Sequence, residues 1–318
     1  MKTLLAALAF LFSLSSFGQG YPGKPVRIIV PYSPGGSTDI LARALGAKLG
    51  ERWKQSVIVE NRIGASGMIG AEYVARAPAD GYTLMMASPA EIALNQNLFS
   101  KMTYSPEKDF APVTLVAIMP LVVATNPQLP ASTMRELVEL AKAKPGALGF
   151  ASPGTGSSQH LTGELLNVMA GIHLVHVPYK GAGQSIPDVI SGQVPLGVYG
   201  LFTIMQHVKS GRMRVLAVTT PKRAAAAPEI PTLAESGFPG FDTSLWFGLV
   251  APAATPKDVI AKLNEDAVRS LRLPDMVERI DSQGAEVIAS TPAEFGAFIA
   301  AETAKYAKVI KQANVRLD

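Results

Sequence analysis

Two short stretches of this 318-residue chain carry residue types suited to gripping an anion. In the first, Tyr32, Ser33, Pro34, Gly35, Gly36, Ser37, Thr38 and Asp39 precede an apolar stripe of Ile40, Leu41 and Leu45 at helical spacing. Gly35 and Gly36 permit positive φ and close approach of a ligand to the backbone, and Ser37 or Thr38 can cap the helix. Free N–H groups at a helix start, with the positive end of the dipole behind them, favour a carboxylate or phosphate. The second stretch, Gly154, Thr155, Gly156, Ser157, Ser158, Gln159 and His160, leads into Leu161, Leu165 and Leu166 in the same way. A strand, glycine turn and helix occur in any α/β domain, so one turn alone says little; two facing each other would hold an anion between them. Neither loop contains an arginine, the usual fork for a carboxylate, so backbone amides have to substitute. Asp39 and Arg43, four apart on the helix, are read as pairing with each other.

Sharper chemistries fit less well. Gly154, Thr155 and Gly156 begin a G-x-G-x-x-G pattern, but Gln159 takes the third glycine's place, and there is no Walker lysine–serine pair. GTGSS is not a nucleophile elbow. A hydrolase built on Ser157 or Ser158 with His160 lacks an acidic partner placed in the neighbouring sequence to orient the imidazole, so His160 is read as ordering its loop. His173 and His176 would point to opposite faces of an extended segment, and with no cysteine and four histidines no metal site is expected. Of the aromatic residues near strand ends, Tyr32, Tyr199, Phe202, Trp246 and Phe247, Tyr32 is the first choice for a cleft wall.

The elements that must position these loops alternate. Val26–Val30 reads as a buried parallel strand that Pro31 and Pro34 end. Further strands are expected at 57–60 and 82–87, with one or two more in 110–125, interrupted at Pro112 and Pro120, and a helix at 67–77. The pattern restarts at Ser132 or Thr133, capping a helix through Lys144, with strands at 148–151, 175–177, 194–199 and 215–219. Helices at 157–170, 184–191 and 203–210 lie between them. A loop-rich 228–241, a strand at 245–250 and helices at 256–271, 275–283 and 292–312 complete the chain. Two parallel α/β blocks, each opening a helix with a Gly-Ser turn, predict two lobes with a ligand cleft between the carboxyl ends of their strands.

Lys2, the apolar run from Leu4 to Leu14 and the small residues before Gln19 read as a secretory signal peptide over residues 1–18. Without a cysteine there is neither a lipobox thiol nor a disulfide framework, so a free periplasmic protein is expected. The net charge of +4 is small and scattered; its one cluster, Lys222 and Arg223, sits in a loop without interleaved aromatics, which argues against nucleic acid.

Longer segments are distinctive together: YPGKPVRIIVPYSPGGSTDILAR from Tyr21, VENRIGASGMIGAEYVARAPADGYTLMMAS from Val59, ASPGTGSSQHLTGELL from Ala151, HVPYKGAGQSIPDVISGQV from His176, IPTLAESGFPGF from Ile230 and WFGLVAPAATP from Trp246. From Tyr21 to the C-terminus the chain resembles the extracytoplasmic solute receptors of tripartite tricarboxylate transporters, also called Bug receptors. The resemblance implies an α/β, periplasmic binding protein-like (type II) fold, with residues 19–122 and 243–318 in lobe 1 and 123–242 in lobe 2. It implies a carboxylate held between Tyr32–Asp39 and Gly154–His160 by amides, hydroxyls and ordered waters. Ser88, Asp188 and the Tyr199–Phe202 segment match positions facing the cleft, and Pro34 stands where many relatives carry alanine. Capture without conversion, no cofactor, a monomer, and delivery to transporter membrane subunits, or to a sensor kinase in an orphan receptor, follow from the same resemblance.

Overall fold

Along Val26–Val30 the side chains alternate between two cores: Val26, Ile28 and Val30 enter one, Ile29 the other. The strand is therefore covered on both faces, as a central parallel strand must be. The computed structural model describes residues 21–282 and 284–317; the expected signal peptide lies outside them. In chain order the elements are β1 (Val26–Val30), α1 (Ser37–Trp53), β2 (Val57–Asn61), α2 (Met68–Ala75) and β3 (Thr83–Ala87). A π-helical turn over Ala90–Leu94 runs into α3 (Asn95–Leu98), followed by α4 (Pro106–Asp109) and β4 (Phe110–Thr125). Then come α5 (Met134–Ala143), β5 (Gly149–Ser152), α6 (Ser158–Ala170), β6 (Val175–Pro178), α7 (Ala182–Ser191), β7 (Leu196–Gly200), α8 (Leu201–Lys209) and β8 (Arg214–Val218). The chain finishes with β9 (Ser244–Pro252), α9 (Lys257–Leu271), α10 (Pro274–Asp281), β10 (Glu286–Val287) and α11 (Pro292–Ala313).

The strand order is β2-β1-β3-β9-β4-β7-β5-β6, with β8 and β10 also on β4. One departure from expectation organises the molecule. Residues 110–125 form a single strand, with Pro112 beside a register shift that spares its missing N–H a ladder bond, and Pro120 the last residue facing β9 before Leu121 faces β7. The blocks are also mixed, because β4 and β9 run antiparallel to each other.

Strand directions then place the loops. β3 is antiparallel to β9 and β9 to β4, so β1, β3 and the first part of β4 point the same way, toward the second lobe. In that lobe β7 is antiparallel to β4 and parallel to β5, which is parallel to β6, so β5, β6 and β7 point back. The carboxyl ends of β1 and β3 and those of β5, β6 and β7 converge on the level at which β4 crosses. Helices cover both faces in each lobe: Leu45, Leu263 and Phe247 line one core of the first lobe, Trp246, Phe295 and Tyr306 the other. In the second lobe Leu137, Phe150 and Leu166 form one core, Val189, Ile204 and Val218 the other.

Candidate functional site

The first loop is exposed from Ser33 to Gly36, after a half-buried Tyr32. Its details differ from the expected cap. Gly36, not Ser37 or Thr38, is the N-cap residue of α1, in extended conformation (φ −75°, ψ 165°), and no side chain caps it. Only Gly35 takes positive φ, at 84°. The first helical bond is Ile40 N–H to Gly36 O at 2.9 Å, which leaves the N–H groups of Ser37, Thr38 and Asp39 without intrahelical acceptors. Asp39, buried and read from sequence as pairing with Arg43, does so: Arg43 Nε donates to Oδ2 at 2.9 Å and Nη2 approaches Oδ1 at 2.9 Å. Asp39 Oδ2 also accepts from Gly35 N–H at 2.9 Å, and Oδ1 accepts from Asn61 Nδ2 at 2.9 Å. Burial works to raise this carboxyl, yet the donors of Arg43, Gly35 and Asn61 outweigh it and hold the group below its ordinary value. Asp39 is the clamp of the loop, and Gly35 N–H is spent on it.

In the second loop Ser157 caps α6: its Oγ accepts from His160 N–H at 3.2 Å and donates to Gly154 O at 2.7 Å. Thr155 is exposed, Ser158 is buried as the first helical residue, and Gly154 and Gly156 take φ of 156° and 79°. His160 is buried, and its Nδ1 accepts from Gly156 N–H at 3.0 Å, which puts the ring proton on Nε2 facing Glu164 Oε1 at 3.6 Å. One expectation is corrected, since an acidic partner does stand nearby, one helical turn on; the bond from Gly156 N–H fits the reading of His160 as ordering its loop. Burial tends to raise Glu164, but hydrogen bonds from His160 and Asn167 leave it below the ordinary value. His176 stacks on His160 with centroids 3.6 Å apart and shares a 2.7 Å hydrogen bond with Ser152 Oγ. Burial, with the His160 ring beside it, pushes His176 down to about 4. Gly156 lies against the first lobe: a Cβ there would stand 2.5 Å from Leu317 Cδ1 and 3.1 Å from Leu98 Cδ1.

Two further helix starts open on the same level, and the sequence reading had not singled them out as seats. α7 begins at Gly181 and α8 at Gly200, neither with a side-chain cap. No acidic residue occupies the first turn of α6, α7 or α8. The helices that follow strands ending at the far edges are built the opposite way. α5 and α11 carry Thr-Glu capping boxes (Thr133 with Glu136, Thr291 with Glu294), and α9 has Asp258 in its first turn. Within α7, Asp188 Oδ2 accepts from Tyr179 OH at 2.6 Å. Tyr199 is not a cleft wall: it is 1% exposed, sunk in the second lobe's core, and its hydroxyl donates to Ser185 Oγ at 3.1 Å. Phe202 is 44% exposed and its Cβ lies 2.7 Å from where a Cβ on Gly284 would be, a contact between the lobes.

Tyr32 and Ser88, at the ends of β1 and β3, meet over a residue the sequence reading missed. Glu91 is fully buried in the π-helical turn; Tyr32 OH donates to its Oε1, and Ser88 N–H and Oγ donate to its Oε2 at 2.8 and 3.0 Å. Tyr32 OH and Ser88 Oγ are themselves 2.8 Å apart. Burial pushes Glu91 up to about 7 and Tyr32 well above its ordinary value, the Glu91 carboxyl adding to the latter. A lone glutamate in the apolar run Ala90–Leu94 was the available signal.

A cavity of about 490 Å³ lies elsewhere, beside the crossing of β4, lined among others by Ile118, Pro120, Ala224 and Phe298. Its charged residues are Lys222, Arg223, Asp242, Asp281 and Glu286, and Arg223 is already spent on Glu235, so it suits an anion poorly. The open amides at the strand ends suit one better.

Comparison with known proteins agrees with this geometry. Residues 41–315 match the family described as tripartite tricarboxylate transporter family receptor. Protein BugT of Bordetella pertussis is 37% identical over 323 aligned positions, covering 100% of this chain and 99% of the relative. A solved R. palustris protein with adipate is 35% identical with a TM-score of 0.83, over 93% of this chain and 99% of that one. MatC from Rhodopseudomonas palustris with bound malate is 30% identical with a TM-score of 0.79, over 91% and 100%. The fold is that of these receptors, and the chain belongs to the tripartite tricarboxylate transporter receptor family.

Proposed function

We propose that the protein is a periplasmic receptor that captures a small carboxylate between its lobes and delivers it to the membrane subunits of a tripartite tricarboxylate transporter. In this reading residues 19–122 with 243–318 form one jaw and residues 123–242 the other. The carboxylate sits on the open amides of Ser37, Thr38 and Asp39, flanked by Tyr32 and Ser88. Gly154, Thr155, Ser157 and Ser158 meet it from the second lobe. The carrying observation is that helix starts from both lobes converge on one level, three of them without a side-chain cap and the fourth, α6, capped by Ser157 at His160 N–H alone. The relatives seen with adipate and with malate support a dicarboxylate. Ser157 Oγ, turned onto Gly154 O, gives no support to a nucleophile.

The test is calorimetric titration of the purified protein with adipate, malate, succinate and citrate, alongside matched neutral amides. Saturable binding of an acid, absent for its amide and without turnover, is the expected result. If every acid fails to bind a folded protein, the reading is wrong.

A further inference from the structure

Glu91 is a fully buried carboxyl at the strand ends, and the side chains that bond to it are neutral. Tyr32 reaches it from the β1–α1 loop, Ser88 from the end of β3, and Tyr104, ahead of α4, donates to its carbonyl at 2.8 Å. Gly67, with φ of 85°, closes the fourth side, and any Cβ there would overlap Glu91 Oε1. No cation pairs with Glu91 among the described residues. An ionised carboxylate can only accept hydrogen bonds, so it draws the hydroxyl protons of Tyr32 and Ser88 inward and leaves oxygen lone pairs facing away. A protonated carboxyl donates to Tyr32 Oη, and the Tyr32 proton is then free to turn to Ser88 or outward.

We propose that Glu91 couples capture of a carboxylate to the uptake of one proton, so that Tyr32 and Ser88 present donors to the bound anion. The inference rests on the carboxylate reading above. The proton comes from solvent and is returned when the ligand leaves; no other bond changes. Two forces drive the coupling in the same direction. An anion in the amide seat disfavours a second negative charge buried beneath it, and it needs donors where an ionised Glu91 would leave acceptors. The ordinary carboxyl value would make such coupling negligible near neutrality, whereas burial brings Glu91 to about 7, where a neighbouring charge shifts its protonation.

The experiment is isothermal titration with adipate and with malate between pH 6.5 and 8.5, in buffers of different ionisation heat. Expected is a net proton uptake that peaks at about half a proton between pH 7 and 8, and affinity about fivefold weaker at pH 8.5 than at pH 6.5. Glu91→Gln should abolish uptake and flatten the profile, whatever its absolute affinity. Tyr32→Phe keeps the carboxyl but removes a donor to its ionised form, and should move the profile to higher pH. Binding without proton uptake, or an unchanged profile in Glu91→Gln or in Tyr32→Phe, overturns the coupling alone. Failure of both acids to bind folded protein overturns the carboxylate reading and the coupling with it.

Discussion

Replacing Gly156 by alanine probes how the second loop is held against the first lobe. Two costs can be separated. Gly156 has φ of 79°, a conformation that costs an L-residue about 1–2 kcal/mol. Its new Cβ would lie 2.5 Å from Leu317 Cδ1 and 3.1 Å from Leu98 Cδ1, an overlap that costs about 1–3 kcal/mol in a well-packed site. The nearer atom is the far end of a half-buried leucine that can swing away, so about 1 kcal/mol is appropriate for the second cost. The sum is about 2–3 kcal/mol, to be read as the shift in urea unfolding followed by the fluorescence of Trp53 and Trp246. Leu317→Ala in the same background removes the overlap but not the backbone cost, giving a double-mutant coupling of about 1 kcal/mol. Gly36→Ala is the control, since φ there is −75° and the nearest atom, Ser33 O, would be 3.6 Å away; its effect should stay within about 1 kcal/mol, the cost of alanine at an N-cap. A Gly156→Ala protein as stable as the parent, or one whose loss Leu317→Ala leaves untouched, would refute this account of the loop.

Gly36→Val should abolish binding of the acid identified by titration while costing far less in stability, because its branched side chain crowds the amide seat and not the core; normal affinity in that variant would mean the seat is misplaced. Asp39→Asn should cost about 1–2 kcal/mol in the same unfolding assay and weaken binding, since it loses charge-assisted bonds from Arg43 and Gly35; the half-exposed Arg43 keeps the figure modest. His176 has its folded value lowered from 6.5 to about 4, so its contribution is full above about pH 6.5 and is lost as pH falls toward 4. The loss is at most about 3 kcal/mol, and His176→Asn should flatten that limb of the stability profile; an unchanged acid limb would place the titration elsewhere.

What was legible in the sequence was local. The glycines before α1 and α6, the apolar stripe behind each and the Asp39–Arg43 spacing all act within a few residues, and the structure places each turn at the carboxyl end of a strand. What was not legible depends on partners distant in sequence. Asn61 of β2 holds Asp39 so that its carboxylate reaches back to Gly35, which no cap rule anticipates. Glu91 meets Tyr32 across 59 residues, and the π-helical turn carrying it has no propensity signature. Prolines suggested a broken β4 because lost donors matter only where a partner strand needs them, and at Pro112 and Pro120 the pairing shifts or changes hands. Glu164 was within reach of sequence reasoning, one helical turn after His160; the i,i+4 spacing applied to Asp39 and Arg43 applied there as well.

The missing arginine is accounted for by how charge is spread over the helix starts. Those at the far edges neutralise their own dipoles with Glu136, Asp258 and Glu294, whereas α6, α7 and α8 have no acid in the first turn. The exception, Asp39 in α1, spends its carboxylate on Arg43, Asn61 and Gly35 N–H instead of on the amides of Ser37 and Thr38. At about half a positive charge per helix start, the four starts together offer roughly two, the charge of a dicarboxylate. A guanidinium would supply the same charge at one point and in one plane; amides spread it over a surface that accepts an acid of varying length. Such a site selects first for charge. In the proposed site, selection among acids then falls to the side chains around the amides, with Ser88, Asp188 and Phe202 proposed among them.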